Sequence, residues 1–321
     1  MKNIINLLAI SIAIIACNNN ANNNSAATTA ENSQSSATTP AVAGINHKYS
    51  WADFNLQGKV KKLTEYTYYQ SEDQNGNPIE GEPFANDPVK VIFFSPQGLV
   101  TQINEYEENE QGAYAQTNFQ YDPQNRLILV KKTNPDGKTA TTEQYHYSPE
   151  GFLATYIYHD PNDQEEPSKI IYQTTSTPEG RKVEEKEGDN SDYEIKYYNT
   201  QNLMVKRVLY NPRDQKVVGE ALYTYDANNR CQTETYKGIG SIFARSYCMS
   251  GTASCFYDKY GNLTKVSIAE NPSTNGEDAC EFAETNDYTK QYSYDPQGNV
   301  TRVVVGMGGE PVIQTYKIEY Y

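Results

Sequence analysis

Tyr292-Ser293-Tyr294-Asp295-Pro296-Gln297-Gly298-Asn299-Val300 decides the fold, because each position in it has a conformational reason. Asp295 opens a turn by accepting bonds from the backbone ahead, and Pro296 presets φ near −65°. Gly298 tolerates φ > 0, so the segment reads as a three-residue hairpin: a type I turn closed by a left-handed residue with a G1 bulge. Tyr292 and Tyr294 are two apart and share one face of the incoming strand. The Val-rich stretch Val300 to Val305 supplies the outgoing strand.

The pattern occurs nine times, closing at Gly58, Gly98, Asn125, Gly151, Gly180, Asn202, Asn229, Gly261 and Gly298. A single Asp-Pro-x-Gly would mean little. Nine copies that always close on Gly or Asn, the residues that tolerate φ > 0, define an architecture. The residue before the turn is usually aromatic, as in Phe54, Phe94, Tyr121, Tyr147, Tyr198, Tyr225 and Tyr257. Looser turns such as Asn134-Pro135-Asp136-Gly137 and Asn211-Pro212-Arg213-Asp214 close each unit. Successive closing residues lie 40, 27, 26, 29, 22, 27, 32 and 37 apart. About 27 residues is two strands and two turns. The longer intervals place insertions around Gln74–Pro88, Met249–Ser254 and Asn271–Asp278. The expectation is one all-β domain over 45–321: an antiparallel up-and-down meander of about 16–18 strands, strongly curved or closed into a barrel.

The motifs resemble the YD repeats of RHS-type bacterial proteins. The resemblance is carried by Tyr121-Asp122, Tyr225-Asp226, Tyr257-Asp258-x-x-Gly261-Asn262-Leu263 and Tyr294-Asp295-x-x-Gly298-Asn299-Val300. The chain is also similar to small Bacteroidetes lipoproteins with a porin-like fold and no known function. Both resemblances imply architecture and not chemistry. The toxin-enclosing role of large RHS shells does not carry over to a chain this short.

The start of the chain has a different character. Lys2 precedes an apolar run from Ile4 to Ala16, too short to span a bilayer but suited to a signal peptide over 1–16. Ile14-Ile15-Ala16-Cys17 resembles a lipobox, which implies acylation at Cys17; an ordinary secretory signal is the alternative. Residues 17–44 are then a tether of Asn, Ala, Ser and Thr without apolar periodicity. As a flexible coil it spans on the order of 30 Å. Asn18-Asn19-Asn20 stands where surface-displayed Bacteroidetes lipoproteins carry an acidic run. The expected location is therefore the bacterial outer membrane, facing the periplasm in preference to the cell surface.

A meander of this size can also form a membrane barrel, and Tyr316-Lys317-Ile318-Glu319-Tyr320-Tyr321 resembles the terminal strand of one. Lipid-facing positions would then have to be apolar at every second residue. Arg181-Lys182-Val183-Glu184-Glu185-Lys186-Glu187 is charged on both faces, Lys61-Lys62-Leu63-Thr64-Glu65 is little better, and mean hydropathy is −0.77. Each midplane charge would cost about 2–4 kcal/mol. A soluble barrel is expected, tethered through lipid. The formal charge of −14 argues against nucleic acid or anionic membrane as a partner and leaves glycans and envelope proteins.

With Cys17 assigned to lipid, Cys231, Cys248, Cys255 and Cys280 remain, an even number that suggests two disulfides. The turn-like Met249–Ser254 favours 248–255 with 231–280; a 231–248 pair across a hairpin near Gly238–Gly240 stays open. A zinc site lacks Cys-x-x-Cys and nearby His. His47 borders the tether, and His146 alternates with Tyr145 and Tyr147, so it faces away from them. No catalytic residue, metal site or cofactor is expected. The acidic segments Glu187–Asp192 and Asn275–Asp278 match no calcium loop and read as solvated turns. Trp51 reads as a plug for one end, and the 28 tyrosines as core rings with polar tips. The leading function is non-catalytic binding or scaffolding. The alternatives are a carbohydrate- or peptidoglycan-active enzyme using carboxylates inside the sheet, or a structural subunit of an envelope complex.

Overall fold

The computed structural model describes residues 49–83, 88–106, 113–163, 166–188, 191–243, 250–270, 288–306 and 312–321. After a short 3₁₀ turn (Trp51–Phe54) come β1 (Val60–Glu72), β2 (Pro78–Pro83), β3 (Lys90–Phe94), β4 (Val100–Glu105), β5 (Ala115–Tyr121) and β6 (Leu127–Thr133). Next are β7 (Thr139–Tyr147), β8 (Leu153–His159), β9 (Ser168–Thr177), β10 (Gly180–Glu187), β11 (Tyr193–Asn199), β12 (Met204–Asn211) and β13 (Lys216–Tyr225). The last are β14 (Cys231–Lys237), β15 (Ser250–Tyr257), β16 (Leu263–Glu270), β17 (Tyr288–Tyr294), β18 (Val300–Gly306) and β19 (Val312–Tyr320).

Closure rests on β1. One edge pairs with β19, from Val60↔Tyr320 to Tyr69↔Val312. The other edge is shared, with Lys62–Glu65 against β3 and the outer half, Tyr68–Glu72, against β2. From β3 onward each strand pairs antiparallel with its sequence neighbours. The result is a closed antiparallel ring of 18 strands, with β2 sharing a position beside β1, so no long edge is left for another chain to join.

Because every second connection carries the repeated turn, those turns gather at one end of the barrel. The chain terminus is there too, where Tyr321 N–H donates to the Lys59 carbonyl at 2.9 Å. All nine closing residues have positive φ, from 60° at Asn125 to 142° at Gly180. Two of them are not three-residue hairpins. Gly180 pairs directly with Thr177 around a two-residue turn of Pro178 and Glu179. It is held to glycine because a Cβ there would collide with the Tyr198 carbonyl. Gly58 follows the 3₁₀ turn, where Asp53 accepts the Ser50 N–H at 2.6 Å and curls the chain before β1 begins.

That curled segment crosses the mouth beside β1. Trp51 N–H donates to Gly98 O at 2.9 Å and its indole Nε1 to Val60 O at 2.7 Å. On the other side Asn55 Nδ2 donates to Asn262 Oδ1 at 2.9 Å, and Gln57 and Asn299 exchange two bonds. The segment Trp51–Gln57 thus pins turns on both sides of the closing strand.

Register separates the two faces. The inner face of β1 and β3–β8 carries Leu63, Ile92, Phe94, Phe119, Leu127, Val130, Tyr145 and Leu153 in one apolar cluster. Along β10, Arg181, Val183 and Glu185 point in with Lys196 and Arg207 of the neighbouring strands. Lys182, Glu184 and Lys186 point out and pair among themselves at 2.5–2.6 Å. The outer face of β4 and β5 holds an amide row, Gln102, Asn104, Gln116 and Asn118. This charge and polarity on both faces is what the alternation in 181–187 implied.

One expectation fails outright. Ser250–Ser254 is not a loop but the first part of β15, paired with β14 and β16. No disulfide occurs among the described residues, where Cys231 and Cys255 are buried thiols. Cys17, Cys248, Cys280 and His47 lie outside the described residues, as do the 275–278 segment and the tether.

Candidate functional site

The repeated tyrosine has a mechanical role that its spacing alone does not reveal. Near the turn end, alternate ladders stop early: β6–β7 begins at Leu129↔Gln144, β12–β13 at Lys206↔Leu222 and β16–β17 at Lys265↔Thr289. Each stop leaves a strand-initial carbonyl without a ladder donor. Tyr147 Oη donates to Leu127 O at 2.8 Å, Tyr225 Oη to Met204 O at 2.6 Å and Tyr292 Oη to Leu263 O at 2.9 Å. Tyrosine thus fills the splay with a ring and satisfies the exposed acceptor with its tip.

At four of the turns the residue after the closing position, Arg126, Arg181, Arg230 or Asn262, completes the rung. Arg126 pairs with Asp122 at 2.6 Å and lies 4.5 Å over the Tyr147 ring. Arg230 does the same between Asp226 and Tyr257, and Arg181 lies 4.3 Å over Tyr198. Asn262 Nδ2 instead donates to Tyr294 Oη at 2.9 Å. The sequence reading missed these rungs; the recurrence of Arg at 126, 181 and 230 was the available signal.

The β16–β17 seam shows the same early stop: among the described residues its ladder reaches Lys265↔Thr289, and toward the turns the strands part. Between them opens a cleft of about 450 Å³, lined by Asp258, Lys259, Tyr260, Thr264 and the β17 residues Lys290–Tyr294. Tyr294 Oη donates to the Asp258 carboxylate. Burial and that neighbouring charge push the Tyr294 hydroxyl well above the usual tyrosine pKa, so it stays protonated as a donor. Tyr260 packs at 4.2 Å from the Tyr294 ring but remains 41% exposed. Lys259 Nζ sits 4.8 Å over the Tyr260 ring. A partly exposed aromatic ring beside a cation, a carboxylate and hydroxyls can hold a polyhydroxylated ligand by apolar contact and hydrogen bonding.

Across the barrel the inner face carries an ionic row. Lys196 bridges Glu185 at 2.5 Å and Glu194 at 3.3 Å, and Arg207 joins Glu194 at 3.0 Å. Glu234, fully buried, accepts from Tyr223 Oη at 2.9 Å, the Ser241 hydroxyl and Ile242 N–H, with Arg207 at 3.8 Å. Burial alone would lower the Lys196 pKa, but the charges of Glu185 and Glu194 outweigh it and hold the amine above its ordinary value. Ser241 and Ile242 belong to the connection after β14, which folds inward past Gly219 and gives its Gly240 carbonyl to Arg207 at 2.5 Å. The inner carboxylates of this row are each engaged by a cation or a hydrogen-bond donor. Among the described residues no group of three or more His, Cys, Asp or Glu is placed to hold a metal. His146 is exposed and faces away from Tyr145 and Tyr147.

No family model matches the chain, and no curated protein matches it. Solved structures are similar in part. A porin-like protein from Bacteroides uniformis is 12% identical over 82% of this chain and 98% of that one, at a TM-score of 0.39. A porin-like protein from Bacteroides vulgatus is 10% identical over 82% and 99%, at 0.32. The Photorhabdus luminescens Tc holotoxin pore is 16% identical over 78% of this chain but 13% of that one, at 0.33. At TM-scores below 0.5, these likenesses add nothing to the chemistry of the site.

Proposed function

We propose that this chain is a non-catalytic glycan-binding protein of the bacterial envelope, a soluble barrel tethered to the outer membrane by lipid at Cys17 and facing the periplasm. The observation that carries the binding role is the open β16–β17 cleft, where the partly exposed Tyr260 ring stands among Asp258, Lys259 and Lys290. Its volume lies within the usual range of small-ligand sites, about 300–1,000 Å³. Tyr260 supplies an apolar contact surface, and the surrounding charged and hydroxyl groups read sugar hydroxyls. The outward Lys182–Glu184–Lys186 and Lys206–Glu220 pairs support a water-facing exterior.

The test is titration of the exported chain with defined cell-wall and polysaccharide fragments. Saturable binding that disappears in Tyr260→Ala, with the fold intact by circular dichroism, supports the reading. Turnover of a fragment, abolished by a single carboxylate-to-amide change, replaces it with the enzyme alternative. The tether is tested separately: Cys17→Ala should release the protein from membranes, and a variant that stays membrane-bound refutes the anchor.

A further inference from the structure

Cys231 and Cys255 come together although the sequence gives no reason to pair them. On β14, Glu234 and Tyr236 point inward, opposite Ala253 and Gly251 of β15. Regular alternation would make Gln232 the next inward residue. Gln232 is exposed instead, and Cys231 is the buried one, with its thiol 3.5 Å from Thr233 O. This irregularity turns Cys231 toward the position that faces the inward Cys255. Both thiols are shielded, at 0% and 6% exposure, and Phe243 of the inward connection packs on the clusters that contain each of them. A hydrogen bond from the Cys231 thiol holds the Cys255 thiol below its ordinary pKa.

We propose that Cys231 and Cys255 form a disulfide in the exported protein, stapling β14 to β15 beneath the inward connection. Two protein thiols lose their hydrogens and join as one S–S bond. A disulfide-bearing oxidant of the export compartment accepts the two electrons and both protons and leaves as two thiols. The exchange runs through a mixed disulfide while the pair is still accessible, before the barrel closes over it. Cys248 and Cys280 lie outside the described residues, and the digest below reads their pairing directly.

Digestion of the full exported chain under non-reducing conditions decides the matter. Trypsin alone leaves Cys248 and Cys255 on one peptide, 246–259, so cleavage after Met249 by cyanogen bromide is added. The expected product is peptide 231–237 linked to peptide 250–259, resolving into the two on reduction. Linkage of 231–237 to a peptide containing Cys248 or Cys280 overturns the proposal. So does full alkylation of Cys231 and Cys255 in denaturant without reductant. Both readings come from the unaltered chain, so no variant has to fold.

Discussion

The two walls of the barrel are built on the same repeat but filled by different physics. Facing inward from β3 to β8 is an apolar cluster centred on Leu127, Val130 and Tyr145, with one ion pair, Lys132–Glu105 at 2.7 Å, toward its rim. From β10 to β14 the inner face carries the row Glu185, Lys196, Glu194, Arg207 and Glu234. Turn, tyrosine and arginine rung recur in both walls, so the repeat determines the cylinder and leaves its contents open to variation. The apolar wall gains its stability chiefly from burial. The charged wall gains position, because its groups must be mutually satisfied and they anchor the inward connection.

The contrast is broken most severely at Arg207. Arg207→Met leaves Glu194 with one partner fewer and Glu234 without its nearby cation, and should cost about 3–5 kcal/mol in urea unfolding. Adding Glu234→Leu should recover part of that loss; no recovery would mean that the row is not an electrostatic unit. In the other wall, Leu127→Ala should cost about 2–5 kcal/mol as a cavity, independent of salt. A smaller effect tests the element the walls share. Gly151→Ala should cost about 1–2 kcal/mol from backbone strain, since its φ is 89° and a Cβ there meets only Arg126 Nη1 at 3.7 Å. Gln97→Ala, in the same kind of turn but not at its closing position, should be close to neutral.

Protonation should also distinguish the walls. The raised pKa of Lys196 means its stabilisation is whole below the unfolded value, about 10.4, and is lost as pH rises through the folded value. Lys196→Met should flatten that alkaline limb of the thermal unfolding profile. At the acid end burial opposes the charge of Asp122 and Asp226, but Arg126 and Arg230 outweigh it and lower both carboxyls. Their contribution is present above the unfolded value, about 3.9, and is lost as pH falls through the folded values. The smallest effect is expected for Arg126→Lys, about 0.5–1 kcal/mol from the weakened stack on Tyr147.

Much of this architecture was legible before any coordinates, because a Gly or Asn at φ > 0 leaves a local mark that recurs. Strand count and antiparallel order followed from the turns. Closure did not, since it depends on a pairing between Val60 and Tyr320 that no short window contains. Gly180 was visible as a glycine but not its cause, a close approach of the next strand. The acidic and basic residues of β10–β12 were read only as charged on both faces. Their cross-strand register, which turns them into a row, comes from which turn type shifts each strand by one residue. Ser250–Ser254 misled for the same reason, since it has the composition of a turn but lies in a strand paired on both sides. The cleft was unreadable because it lies where β16 and β17 part before their turns, which depends on neighbours far along the chain.

The pairing of β1 with β19 also has a consequence in time. Pairing β1 with β19 joins strands far apart in the chain, so closing the ring closes the barrel's longest loop. Until then a nearly finished sheet carries two open edges of unpaired amides and carbonyls. A chain ending before Val312 should therefore not be a slightly weaker barrel; it should seek another sheet, and appear as oligomers in which neighbouring copies supply the missing strand.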